Sequence, residues 1–389
     1  MSMSPTVETP AARCEHGTMH VAFELSKATW KIGIVLPNRQ KMSRFSLAGG
    51  DTARLAALLA RKRQEAEAGC GRPVRIVSCY EAGYDGFWLD RWLGAQGVIN
   101  HVLDPASIEV DRRKRRAKTD RIDLDKLMRT LLALCRGEPR VCRVVRVPSA
   151  AEEDAKRRHR GRARLLQERG GHVNRVKALL HGQGIRDAAP LGRNFAEKLS
   201  RLRTGDGRSL APALLDEITH ELARLRRVGE QLALVEAEIA QTMRTAPAGS
   251  TAEKAARLTQ LVSIGMVGAQ TLAHEVYYRS FANRRQVGSY LGMTGTPYDS
   301  GETRREQGIS KAGNPRARVI LIELAWLWVR YQPDSELSGW FVRRVGDGKG
   351  RLRKIAIVAL ARKLAVALWR YLETGLVPAG ARLRSSVAG

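Results

Sequence analysis

Four carboxylates stand at places where a chain builds sites. Glu24 closes the apolar run His20-Val21-Ala22-Phe23-Glu24-Leu25, and Glu81 closes a second, Val74-Arg75-Ile76-Val77-Ser78-Cys79-Tyr80-Glu81. Asp120 and Asp123 are three apart at the start of a helical stretch, a spacing that places both on one helix face. Oxygen donors of this kind suit Mg²⁺ or Mn²⁺, and two such ions stabilise the attacking and leaving oxygens of a phosphoryl transfer. Each residue alone has a duller role. Asp in a first helical turn offsets the helix dipole, and a strand-end Glu pairs with a neighbouring Arg. Beside them runs Arg112, Arg113, Lys114, Arg115, Arg116 and Lys118. In that company the four read as a metal site working on a phosphate backbone.

A second constellation follows far downstream. Thr296-Pro297-Tyr298-Asp299-Ser300-Gly301 is trailed by Arg304, Arg305, Lys311, Asn314 and Arg316. Ser300 is placed as a nucleophile, although an unactivated hydroxyl needs a base or a metal. The cations suit a phosphate; the bland alternative is a Gly-rich turn with a solvated basic face. Upstream, Ile264-Gly265-Met266-Val267-Gly268 sets two glycines before a helix. That is the form of a helix-hairpin-helix turn, whose backbone N–H groups hold a DNA phosphate, and close helix packing at Gly265 and Gly268 explains it equally well.

Composition narrows the partners. Lys and Arg number 67 against 39 acidic residues, a net charge of +28 over 389 residues. A field of that strength favours a polyanion, nucleic acid first. No apolar run reaches the roughly 18 residues of a bilayer span, because Glu323 interrupts one and Arg362 and Lys363 another. Met1–Gly17 lacks an apolar core, so no secretory signal is expected. Five scattered cysteines without CxxC spacing favour neither zinc nor a disulfide framework. The expected location is the cytoplasm, at the bacterial nucleoid.

These residues need elements to hold them. Residues 1–19 read as a disordered tail, and 20–148 as an α/β domain. Its strand-like runs are His20–Leu25, Trp30–Leu36 and Lys41–Leu47, then helix, Val74–Cys79, helix, Val98–Val102 and helix. The order is compatible with an RNase H-like sheet, in which the first and fourth strands are neighbours. Residues 151–245 read as a coiled-coil connector, its first helix interrupted at Gly170-Gly171. The second helix carries a seam of Leu215, Ile218, Leu222, Leu225, Leu232, Val235 and Ile239, with Gly229 at one seam position. Residues 251–378 form a mostly helical third domain, and 379–389 a basic tail.

The motifs together resemble a known family. Glu24-Leu25-Ser26-Lys27-Ala28-Thr29, Tyr80-Glu81-Ala82-Gly83-Tyr84 and Lys118-Thr119-Asp120-Arg121-Ile122-Asp123 look like its three acidic motifs. Ile264–Gly268, Tyr290-Leu291-Gly292-Met293-Thr294, Ser300-Gly301 and Ile309-Ser310-Lys311-Ala312-Gly313-Asn314-Pro315-Arg316 look like its C-terminal domain. The family is insertion-sequence family 110, the DEDD transposases that act as bridge-RNA-guided DNA recombinases. The resemblance implies a RuvC-like domain in which Glu24, Glu81, Asp120 and Asp123 hold Mg²⁺, Mn²⁺ being the other candidate. It implies a serine, here Ser300, that links covalently to DNA, and a dimer or tetramer with sites composed from different protomers. Donor and target DNA and a structured bridge RNA would be its partners, with no membrane. One position departs from the pattern: the family's first acid is normally Asp, and Met1–Gly50 contains no Asp, so Glu24 stands there. Two other readings stay open on residues alone, a RuvC-type junction nuclease in which Ser300 is idle and a DNA- or RNA-binding relic.

Overall fold

The computed structural model describes residues 17–37, 39, 41–108, 120–139, 141–300 and 303–384, with the backbone alone for 120, 121, 297–300 and 303–306. The chain divides into two compact units, Met1–Ser149 and Ala150–Gly389.

In the first unit, β1 (Gly17–Leu25), β2 (Thr29–Val35) and β3 (Ser43–Ala48) form an antiparallel meander. Helix α1 (Thr52–Cys70) crosses to β4 (Val74–Glu81), parallel to β1, and α2 (Trp88–Ala95) to β5 (Val98–Leu103), parallel to β4. The sheet order is β3-β2-β1-β4-β5. Helix α3 (Asp120–Cys135) follows. Asp51 caps α1 by accepting from the Arg54 amide, and Gly71, at φ 66°, ends it with a bond to the Glu67 carbonyl.

The first strand starts earlier than the apolar pattern predicts. Gly17–Met19 pair with Val74–Ile76, and the Gly17 amide donates to the Pro73 carbonyl at 2.9 Å. Gly and Thr carry little hydrophobic signal, so only the partner strand reveals that residues 17–19 are sheet rather than tail. Residues 1–16 lie outside the described residues.

Two cores sandwich the sheet. Met19, Val21 and Phe23 of β1 and Tyr80 of β4 pack with Leu55 and Leu59 of α1 and Leu89 and Leu93 of α2. Ala22, Val77 and Cys79 pack with Leu124, Leu127, Met128 and Leu131 of α3. The two-residue period of a strand assigns each side chain to one of these layers.

The second unit opens with α4 (Ala150–His181), which runs unbroken through Gly170-Gly171, contrary to the interruption expected there. Neither glycine's missing Cβ would have met a neighbour, and the helix survives their poor propensity through its packing. After α5 (Phe195–Leu199), α6 (Pro212–Arg244) returns antiparallel to α4. The rungs show it: Arg158 meets Thr242, Arg162 meets Glu236, His172 meets Glu221 and Arg175 meets Glu217. Numbers rise on one helix as they fall on the other.

The α6 seam is Ile218, Glu221, Leu225, Val228, Leu232 and Ile239. Val228, not Gly229, fills the fourth position, and Glu221 is buried beside Leu222, which is itself partly buried against the α4–α6 core. A heptad read from apolar letters alone passes over a buried glutamate held by His172 and Arg224.

The remainder comprises α7 (Thr251–Thr259), α8 (Met266–Leu272) continuing into a π-helical turn (Ala273–Tyr277), and α9 (Arg284–Tyr290). Then come the hairpin β6 (Gly295–Ser300) and β7 (Thr303–Ile309), and α10 (Pro315–Tyr331), α11 (Glu336–Val345) and α12 (Arg351–Thr374). Leu258, Leu272, Leu321, Trp328 and Leu364 belong to its common core. The segment after residue 378 is part of this body up to Arg384 rather than a free tail. Leu383 bridges Leu261, and the Arg384 amide donates to the Gln260 carbonyl at 2.7 Å. Among the described residues no helix is long and apolar enough to cross a membrane.

Candidate functional site

The first site follows from strand pairing. β1 and β4 run parallel with Phe23 opposite Tyr80, so the next residues, Glu24 and Glu81, end the two strands side by side. Both lie on the face that α3 covers, because Ala22 and Cys79, two residues earlier, pack against it. The two glutamates line one cleft of about 360 Å³ with Ser26, Lys27, Tyr84 and Asp85.

Helix α3 brings its first turn to the same end of the sheet. The Cys79 thiol donates to the Leu127 carbonyl at 3.6 Å, while Arg136 at the helix C-terminus acts on His20 near the start of β1. The helix therefore runs antiparallel to β1, and stepping back from Leu127 to Asp123 follows the step from Cys79 to Glu81. Asp123 is half-buried on that first turn and is not among the residues lining the cleft. The side chain of Asp120 and the whole run Arg112–Lys118 lie outside the described residues.

Among the described residues no group of three or more His, Cys, Asp or Glu is arranged to hold a metal ion. The described part of the site is a pair, Glu24 and Glu81, and its donors are all oxygen, the set a hard divalent cation takes. The residues fit Mg²⁺ in kind. Asp85, four residues beyond Glu81, is an acidic neighbour the sequence reading passed over; burial raises its carboxyl above the ordinary value. Its only signal is its place in the turn just past a strand-end acid.

The second site is the hairpin. Its register sets Ser300 opposite Thr303, Asp299 opposite Arg304 and Tyr298 opposite Arg305. Gly301, between Ser300 and Thr303, lies outside the described residues, as do the side chains of Ser300, Arg304 and Arg305. The base of the hairpin is described in full, and it joins two of the sequence motifs. Tyr290–Thr294 and Ser310–Asn314 lie backbone against backbone. The Ser310 amide donates to Thr294, Lys311 to Gly292 and Asn314 to Tyr290, at 2.9, 3.0 and 3.2 Å. A Cβ on Gly313 would sit 2.4 Å from the Tyr290 carbonyl oxygen, and one on Gly292, at φ 63°, would sit 2.9 Å from the Lys311 carbonyl carbon. Both positions require glycine.

Beneath this base is a buried ion cluster that sequence reasoning missed. Glu275, 2% exposed at its side chain, sits in the π-helical turn. Its Oε1 accepts from Arg160 Nε at 2.7 Å and lies 3.0 Å from His159 Nε2; its Oε2 accepts from Arg160 Nη2 and Asn314 Nδ2, each at 3.0 Å. Burial alone would raise its pKa, but His159, Arg160 and Asn314 outweigh burial and hold the carboxyl well below the usual carboxylate range. Asn314 also caps α10 by accepting from the Arg316 and Ala317 amides. The cluster thus ties α4, the π-helical turn and the loop under the hairpin together. Its one signal in sequence is a polar pair, His274-Glu275, inside an apolar helix.

Other expected nucleic-acid contacts fall variously. Lys311, at φ 56°, and Arg316 are exposed. Gly265 is exposed as the N-cap of α8, whereas Gly268 is buried with Leu324 3.0 Å from its missing Cβ, the close helix packing weighed against a DNA role.

A family model described as Transposase IS116/IS110/IS902 family matches residues 255–338, which span α8, the hairpin and α10. A putative transposase, y4rJ, of Sinorhizobium fredii is 46% identical across 97% of this chain and 98% of its own length. A probable family 20 transposase of Pseudomonas aeruginosa is 31% identical over 62% of this chain and 70% of its own. The transposase for insertion sequence element IS1111A of Coxiella burnetii is 22% identical over 77% and 78%. The chain belongs to the IS116/IS110/IS902 family of insertion-sequence transposases.

Proposed function

We propose that this transposase cuts and rejoins DNA strands through a covalent serine–DNA intermediate, with Ser300 as nucleophile and Glu24, Glu81, Asp120 and Asp123 as the holders of Mg²⁺ or Mn²⁺. The observation that carries the reading is the pairing of Glu24 with Glu81 at adjacent strand ends, on the sheet face and at the end to which α3 brings Asp123. When bound, the cation would neutralise charge on the scissile phosphate. Glu24 stands where the family normally has Asp, one methylene longer, and it lines the same cleft as Glu81.

The chain's own residues do the rest. The Ser300 oxygen attacks phosphorus, forming one P–O bond as the bond to the leaving DNA oxygen breaks; the hydroxyl proton ends on that oxygen. Attack by the freed oxygen of another strand reverses the exchange and restores the serine, so rejoining needs no ATP. Arg304, Arg305 and Arg316 would hold the phosphate through charge and bidentate bonding. The sheet architecture is compatible with a RuvC-like domain, and the α4–α6 arm suits assembly into a dimer or tetramer with sites shared between protomers. The net charge of +28 supports binding of donor and target DNA and of a structured bridge RNA.

Trapping decides the chemistry. Incubated with end-labelled insertion-sequence termini, Mg²⁺ and its non-coding RNA, the wild type should give a protein–DNA adduct that survives denaturing gels. Ser300→Ala and Glu81→Ala should each lose it. Free nicked ends made by Ser300→Ala would make this a metal-dependent nuclease with an idle serine.

A further inference from the structure

A hollow of about 1630 Å³ in the second unit lies between α9, α11 and α12 and reaches the hairpin at Gly295, Gly308 and Ile309. It exceeds the roughly 300–1,000 Å³ of a small-molecule site. Nine Lys or Arg line it against a single carboxylate, Glu336. The exposed cations include Arg284 and Arg285 of α9, Arg343 of α11, and Arg351, Lys354 and Arg370 of α12. One carboxylate cannot neutralise nine cations, so the matching occupant is a polyanion.

The floor adds a second requirement. Leu337 and Trp340 of α11 and Val358, Ala359 and Val366 of α12 also line the hollow. Residues 351, 354, 355, 358, 359, 362, 366 and 370 fall on one face of α12 at helical spacing, cationic at both ends and apolar between them except for Arg362. A duplex carries its phosphates outermost and buries its base faces in the stack, so it would leave that floor wet. A strand with unpaired bases satisfies both parts, laying base faces on the floor while its phosphates meet the cationic rim. From Arg351 to Arg370 the face runs about 28 Å, room for several nucleotides. Trp340 and Arg362 aside, the floor side chains Leu337, Val358, Ala359 and Val366 offer no polar group to engage a ribose 2′-hydroxyl, the handle by which proteins select RNA.

We infer that this groove holds an unpaired DNA strand and leads it to the hairpin that carries Ser300. The inference rests on Ser300 being the nucleophile only for its last step, the direction in which the strand runs. Binding itself is independent of that reading and is tested apart from it.

The test is anisotropy of fluorescein-labelled dT20, a 20-base-pair duplex and rU20 on the full chain, with circular dichroism as the folding control. Replacing Arg351→Ser, Lys354→Ser and Arg370→Ser together should lower the dependence of log K on log salt for dT20 by about 2, and its affinity about 50-fold at 0.15 M salt. Ala359→Glu, an exposed change that puts a carboxylate on the floor, should weaken dT20 and leave the duplex within threefold. Arg351→Lys with Arg370→Lys, which keeps the charge, should retain dT20 binding. Equal losses for dT20 and duplex, or none for either, would overturn the proposal. So would rU20 displacing dT20 at lower concentration, which would make the occupant RNA. A drop in oligomer mass by light scattering with dT20 binding intact would make the groove a protein contact. Should the groove variants lose dT20 while wild type forms no serine adduct, the groove stands and the serine chemistry fails; adduct formation with unaffected dT20 binding is the reverse case.

Discussion

Replacing Glu275→Gln asks how much the buried cluster holds the hairpin base in place. The substitution keeps the shape but removes the charge that four donor contacts address: two from Arg160 and one each from His159 and Asn314. Breaking a buried ion pair typically costs about 3–5 kcal/mol. Arg160 is 47% exposed at its side chain, so water recovers part of its solvation, and a loss of about 2–3 kcal/mol is expected. The loss should be local. Hydrogen exchange followed by mass spectrometry should show lowered protection in α4 around His159, in the π-helical turn, and in the first turn of α10 that Asn314 caps. The sheet of the first unit should keep its protection. A cycle with Arg160→Met isolates the pair, with an expected coupling of about 1.5–3 kcal/mol. Coupling below about 0.5 kcal/mol, or equal loss of protection across both units, would refute the view that Glu275 is the tie.

Two further outcomes follow from the same region. Gly313→Ala forces a methyl against the Tyr290 carbonyl and the Gly292 amide, at 2.4 and 2.5 Å; it should cost about 1–3 kcal/mol and abolish the serine adduct. Gly265→Ala, with nothing within 4 Å of the new carbon, should stay within about 0.5 kcal/mol in a thermal melt; equal effects would sink the close-contact argument. His274 is pushed down to about 4, first by burial and then by the stacked His159 5.5 Å away. The unfolded chain binds the proton near pH 6.5 and the folded chain only near 4. Stability is therefore full above pH 6.5 and declines as pH falls from 6.5 to 4, by about 3 kcal/mol in all. Melting curves of wild type and His274→Gln should converge toward pH 5, and an imidazole titrating near 6.5 by NMR would contradict the assignment.

Much of this could be read in the letters. The strand–helix order of the first unit is legible because β-branched runs such as Val74–Val77 and helical repeats such as Leu55, Leu58 and Leu59 carry opposite periods. Glu24 and Glu81 stand out because a charge that ends an apolar strand has to be accounted for. The pairing that puts them together is not local. It depends on β1 lying beside β4 across nearly fifty intervening residues, and on the side-chain parity that turns both toward α3. Likewise Gly292 and Gly313 each read as a turn, and only their backbone contact shows them to be one structure. Glu275 and Val228 were passed over because a buried carboxylate and a shifted seam look ordinary until a partner helix is present.

The sequence by itself determined the kinds of element, the excess of positive charge and the residue types able to bear phosphoryl-transfer chemistry, because these depend on short-range periodicity and on counting. Tertiary structure alone decided which residues meet: Glu24 with Glu81, Asn314 with Glu275 and Arg160, and the cations of α9, α11 and α12 around one apolar floor. The physical reason is that such contacts join residues far apart in the chain, and their geometry is set by packing over the whole unit rather than by any local preference.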